Sequence, residues 1–113
     1  MKKQPQINYL DLVPQIVEGL VWNKDDDNIV TLEIENRGLF NINAQKVYKK
    51  PKISYIHLDE LGSFAWLLID GKSTVSQIAV PFKEHFGDRA EPLYGKLVKY
   101  FEILKSYNFI TLK

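Results

Sequence analysis

The sequence predicts an α+β fold in which a small antiparallel three-stranded sheet is followed by a three-helix bundle. Three observations lead there. Residues 16–34 are rich in β-branched side chains and divide around Asp25-Asp26-Asp27-Asn28, the composition of a hairpin turn. From Asp59 onward, apolar residues recur at helical spacing in three successive stretches, each followed by glycine or asparagine. Finally, 113 residues that are 45% apolar and 26% charged make one globular domain rather than two, or a disordered chain.

Residues 1–15, with Pro5 and Pro14 and no clear period, read as a flexible, extended N-terminal arm, and residues 16–113 as the single domain. Ile16, Glu18, Leu20 and Trp22 alternate with Val17, Gly19 and Val21 as a first strand, and Ile29 to Ile34 form the second. The three aspartates between them lack the glycine and the distal glutamate of a calcium loop, so they read as a solvated turn. Beyond Asn36-Arg37-Gly38, residues Leu39, Phe40, Ala44, Val47 and Tyr48 fall at helical spacing, and Pro51 stops the short helix they predict. Ile53-Ser54-Tyr55-Ile56-His57-Leu58 is the third strand.

Asp59 caps a helix whose stripe is Leu61, Phe64, Ala65 and Leu68, with Trp66, Leu67 and Ile69 spreading apolar surface over its other faces. Asp70-Gly71 ends it. Thr74 and Gln77 form a capping box for the next helix, with core stripe Val75, Ile78, Ala79, Phe82 and Phe86 and an internal Pro81. After Gly87, Pro92 suits the first turn of the third helix. Its stripe is Leu93, Leu97, Tyr100, Phe101 and Leu104; Asn108 then supplies a left-handed cap before a short strand, Phe109 to Leu112.

Charge and motif content exclude several functions. Fifteen basic residues nearly balance fourteen acidic ones, which is not the basic footprint of a nucleic-acid or membrane-surface binder. The absence of cysteine removes disulfides, thiol nucleophiles and cysteine-held zinc or iron–sulfur centres. His57 and His85 are the only histidines and have no metal-ligand spacing, the serines have no nucleophile-elbow context, and Gly62 and Gly71 build no phosphate loop. No catalytic residue, metal or cofactor is therefore expected. Met1-Lys2-Lys3 leads into Gln4, Pro5 and Gln6 rather than an apolar signal core, and the longest apolar run, Phe64 to Ile69, is far short of a membrane span. A soluble cytoplasmic protein is expected.

From Leu58 to Ala79 the chain reads LDELGSFAWLLIDGKSTVSQIA. In Leu58, Gly62, Trp66, Asp70-Gly71, Thr74-Val75 and Ile78-Ala79, with Asn108-Phe109-Ile110 as the closing segment, it resembles the PqqD-like family over roughly residues 16–112. Two features depart from that pattern: Asn36–Lys52 is longer than the family's turn, and Asn108 stands where glycine is common. The resemblance implies a winged-helix-like, non-catalytic peptide chaperone of natural-product biosynthesis. Such a recognition element takes the leader of a ribosomally made precursor peptide as an added strand and presents it to a maturation enzyme, often of the radical S-adenosylmethionine class.

Mapped onto this chain, the docking strand is Ile53, Ser54, Tyr55 and Ile56, and Tyr94, Val98 and Phe101 form the facing wall on the last helix. The same residues also read as an ordinary edge strand and as core packing. Lys46, Lys49, Lys50 and Lys52 stand before the strand, where they suit either an acidic leader or a solvated helix end. The alternatives to a peptide-binding module are a winged-helix DNA-binding regulator, a protein-binding scaffold subunit and, last, an enzyme; a homodimer is left open.

Overall fold

In the computed structural model, which describes residues 8–36 and 52–113, the chain is α+β. The order is β1 (Pro14–Ile16), β2 (Val21–Lys24), β3 (Val30–Asn36), β4 (Lys52–His57), α1 (Glu60–Leu67), α2 (Val75–Phe86), α3 (Leu93–Ser106) and β5 (Ile110–Leu112), with 3-10 turns at Tyr9–Asp11 and Gly87–Ala90. β2, β3 and β4 form the expected antiparallel sheet in that order, and the three helices follow. Its first hairpin is built on Asp25, whose Oδ1 accepts the backbone N–H groups of Asp27 at 2.8 Å and Ile29 at 3.0 Å. Asn28 completes the turn at φ 63°, a left-handed conformation that asparagine tolerates.

The strand predicted over Ile16 to Trp22 is broken in two. Gly19 takes φ 92°, and the Leu20 N–H donates to the Val17 carbonyl, so the chain turns where alternation alone sees continuity. Ile16 belongs instead to β1, which pairs antiparallel with β5 through Pro14↔Leu112, Gln15↔Thr111 and Ile16↔Ile110. Backbone bonds between Val13 and Lys113 and from Val17 to Phe109 extend this ladder, and the Leu12 carbonyl accepts the Val75 N–H at 2.9 Å. The end of the segment read as an arm is thus held by the last strand and by the start of α2. Residues 1–7 and the helix expected over Leu39 to Tyr48 lie outside the described residues.

The helix starts follow their caps. Asp59 accepts the Gly62 N–H at 2.7 Å. Thr74 Oγ1 accepts the Gln77 N–H at 3.1 Å while Gln77 Oε1 accepts the Thr74 N–H at 2.8 Å, a complete capping box. Thr74→Ala is expected to lower stability by about 1 kcal/mol, read as a shift of the urea midpoint with unchanged slope. Between α1 and α2, the N–H groups of Lys72 and Ser73 hold the Asp70 carboxyl below the usual carboxylate range. α2 runs continuously through Pro81. α3 ends as its sequence predicts: Asn108 takes φ 65°, its N–H bonds the Lys105 carbonyl, and the Phe109 N–H bonds that of Leu104.

The core gathers Val30 and Leu32 from the sheet, Trp66 from α1, Ile78 and Phe82 from α2, and Leu97, Phe101 and Leu104 from α3. α1 is rotated from its predicted stripe, of which Ala65 alone is fully buried: Gly62, Ser63, Ala65 and Trp66 are buried, whereas Leu61, Phe64 and Leu68 are half-buried against the core. A helix apolar on several sides does not announce which side wins. Here the widest side chain does, and Trp66 meets Trp22 edge-to-face at 5.8 Å. Phe64 is left at the rim, stacked on His85 at 4.3 Å.

Candidate functional site

β4 ends the three-stranded sheet; among the described residues no strand pairs with its far side. Its register with β3 is Leu32↔Ile56, Glu33↔Tyr55, Ile34↔Ser54 and Glu35↔Ile53. One rung beyond, Leu58 lies opposite Val30 and its N–H donates to the Val30 carbonyl at 2.9 Å. Antiparallel ladders alternate bonded and non-bonded pairs, so Ser54 and Ile56 turn their N–H and C=O toward β3. Ile53, Tyr55 and His57 turn theirs to the open edge.

Side chains alternate in the perpendicular direction. Ile56 lies on the core face opposite Leu32, yet Leu32 is 0% exposed and Ile56 is 37% exposed, the difference between a central and an outer strand among the described residues. Ile53 and Tyr55 lie on the outer face and are exposed. There His57 Nδ1 and the Thr31 hydroxyl are 2.8 Å apart.

α1 leaves directly from this strand, and α3 crosses it closely. The Tyr100 hydroxyl donates to the Gly62 carbonyl at 2.7 Å. A Cβ at Gly62 would stand 3.0 Å from Asp59 Oδ1 and 3.3 Å from Tyr100 Cε1, so glycine permits the approach. Burial, and then the Asp59 charge, push the Tyr100 phenol well above its ordinary value and keep it a donor. Beside this contact lies an open pocket of about 280 Å³ lined by Asp59, Leu61, Gly62, Lys96, Leu97 and Tyr100. Just past the end of α3, Tyr107 and Phe109 border a second cleft of about 340 Å³ together with Ile34, Glu35 and Ile53.

The flank of α3 toward α1 therefore carries Lys96 and Tyr100, and helical spacing puts Ile103 on the same flank; Ile103 and, just past the helix end, Tyr107 are exposed. Of the expected wall residues, Phe101 is 1% exposed and belongs to the core. A rotation of about 100° per residue carries Tyr94 and Val98 to the opposite flank from Tyr100. Ile103 and Tyr107 are not among the residues that the sequence singles out. The available signal was Gly62: a glycine inside a helix marks a close approach, and its partner fixes which flank of α3 faces that way. Lys46, Lys49 and Lys50 lie outside the described residues.

The family model for coenzyme PQQ synthesis protein D (PqqD) matches residues 29–110, most of the chain. The chain belongs to the PqqD family. Comparison with curated proteins and with solved structures gives no match. The PqqD match takes in β3, β4 and all three helices, and so the whole of the edge and the α3 flank. The PqqD-like positions now have physical roles: Gly62 admits Tyr100, Trp66 anchors the core, Asp70-Gly71 closes the interhelical turn and Thr74 caps α2. Among the described residues no helix is long and apolar enough to cross a membrane, and no three His, Asp or Glu side chains converge as a metal site.

Proposed function

We propose that this PqqD-family chain is a non-catalytic module that binds the leader of a ribosomally made precursor peptide and presents it to a maturation enzyme, in keeping with radical S-adenosylmethionine chemistry in that partner. The observation that carries this reading is the open edge of β4. Three residues, Ile53, Tyr55 and His57, turn N–H and C=O groups outward, and an extended guest satisfies them as a fourth strand. Guest side chains that face inward then cover Ile56, lie beside the small Ser54, and rest against Ile103 and Tyr107 in place of the Tyr94 and Val98 wall. Apolar residues at alternate guest positions give selectivity. The family's description as a coenzyme synthesis protein supports a biosynthetic role.

A DNA-binding role lacks comparable support, because α2 exposes Gln77, Val80, Glu84 and His85 rather than a cationic reading face. The test is titration of the chain against a library of synthetic extended peptides that carry apolar residues at alternate positions. A few backbone bonds and two or three apolar anchors predict micromolar binding, about 8 kcal/mol, by the best members. Failure of every member to bind contradicts the reading.

A further inference from the structure

Just past the last pair of the β3–β4 ladder, Thr31↔His57, the next rung is irregular, and it lies at the end of the docking edge. Val30 and Leu58 are opposed at a position where two direct backbone bonds are normally exchanged. One is present: the Leu58 N–H donates to the Val30 carbonyl at 2.9 Å. The other is replaced by a side chain from α1. The Val30 N–H donates to Ser63 Oγ at 2.9 Å, and the Ser63 hydroxyl donates onward to the Leu58 carbonyl at 3.3 Å. Ser63 is 1% exposed and Val30 is 0% exposed, so no solvent competes for these groups. Ser63 is also tied to the start of its own helix, its N–H bonding the Asp59 carbonyl at 2.8 Å.

A hydroxyl inserted in this rung keeps its second side from closing. It fixes the direction in which β4 departs from β3 and joins that direction to α1. His57, the last residue with outward N–H and C=O groups, immediately precedes the irregular rung. We infer that Ser63 is a positioning residue for the guest strand: its hydroxyl sets the path of β4 at His57 and couples peptide docking to α1. This rests on the docking reading above. Without the hydroxyl, the Val30 N–H either is orphaned in the core or closes directly onto Leu58, and both outcomes re-aim the end of the edge.

The experiment uses the full chain and the tightest-binding member of the synthetic peptide library. Ser63→Ala, measured where it remains folded, is expected to weaken binding roughly tenfold, the worth of one or two guest hydrogen bonds. Its His57 amide resonance is expected to shift before any peptide is added. Thr74→Ala, which weakens the fold away from this edge, is expected to retain wild-type affinity; an equal loss there shows that Ser63 acts through global stability and overturns the assignment. So does a folded Ser63→Ala that binds like wild type. A readout in the unaltered protein stands even if the variant does not fold: peptide addition is expected to move the Val30 amide, which faces Ser63 and not the guest, and an unmoved Val30 overturns the coupling. No peptide binding by the wild type removes the docking reading, and this inference with it; normal wild-type binding with an indifferent Ser63→Ala removes this inference alone.

Discussion

Phe82→Ala is expected to cost roughly 3–5 kcal/mol of folding stability, a large part of what holds a domain of this size together. Phe82 is 2% exposed, and its ring packs at 5.0 Å from that of Phe86 and 6.3 Å from that of Phe64. It also backs the pocket between α1 and α3, so truncation removes contacts from both interfaces of α2. Neighbouring aromatic rings are too rigid to collapse fully into the void, which places the cost toward the upper end of the range. Phe64→Ala removes a ring from the rim and is expected to cost less. Chemical denaturation of both variants checks the order; equal midpoints for Phe82→Ala and wild type contradict the assigned core.

The largest expected effect on binding is that of Tyr55→Pro. The Tyr55 N–H faces away from β3, so proline removes no ladder bond from the sheet, and an outward-facing edge position is where strands accept it. The fold is expected to survive, while a guest strand loses one donor and meets the pyrrolidine ring in its path. Affinity for the library peptide should fall at least about tenfold. Ser54→Pro makes the contrast, because that N–H points into the ladder toward Ile34 and its loss should damage the sheet itself. Circular dichroism with peptide titration separates the two. A folded Tyr55→Pro that binds normally excludes strand addition at this position.

The parts of the fold that were legible in the sequence are those decided within a few residues. The Asp25–Asn28 turn, the Asp59 cap, the Thr74–Gln77 box and the left-handed Asn108 are all local contests between side chain and backbone, and each came out as its residue types require. The β1–β5 pairing was not legible, because Pro14 and Leu112 lie at opposite ends of the chain and alternation marks a strand without naming its partner. Alternation also ran through Gly19, where a backbone at φ 92° breaks the strand without disturbing the pattern.

The site divided along the same line. β4 was recognisable as an edge from strand count, and its exposed Ile53, Tyr55 and Ile56 follow from that position. Which N–H groups point outward depends on which pairs of the register are hydrogen-bonded, and the Leu58 N–H to Val30 carbonyl bond sets that alternation. Which flank of α3 faces α1 depends on helix rotation, set by the Tyr100–Gly62 contact across distant segments. Periodicity identified α3 as amphipathic and the sequence pointed to Tyr94, Val98 and Phe101; in the packed helix the flank bearing Lys96 and Tyr100 faces α1.

The central claim, that an extended peptide pairs with β4, is tested most directly by residue-resolved amide exchange across that strand, with and without the bound library peptide. In the free chain, Ser54 and Ile56 should be protected by β3 while Ile53, Tyr55 and His57 exchange readily. Peptide binding should slow Ile53, Tyr55 and His57 and leave Ser54 and Ile56 little changed, the every-second-residue pattern of a new antiparallel or parallel neighbour. A peptide that binds tightly while Ile53, Tyr55 and His57 exchange as fast as before docks elsewhere, and the account is then wrong.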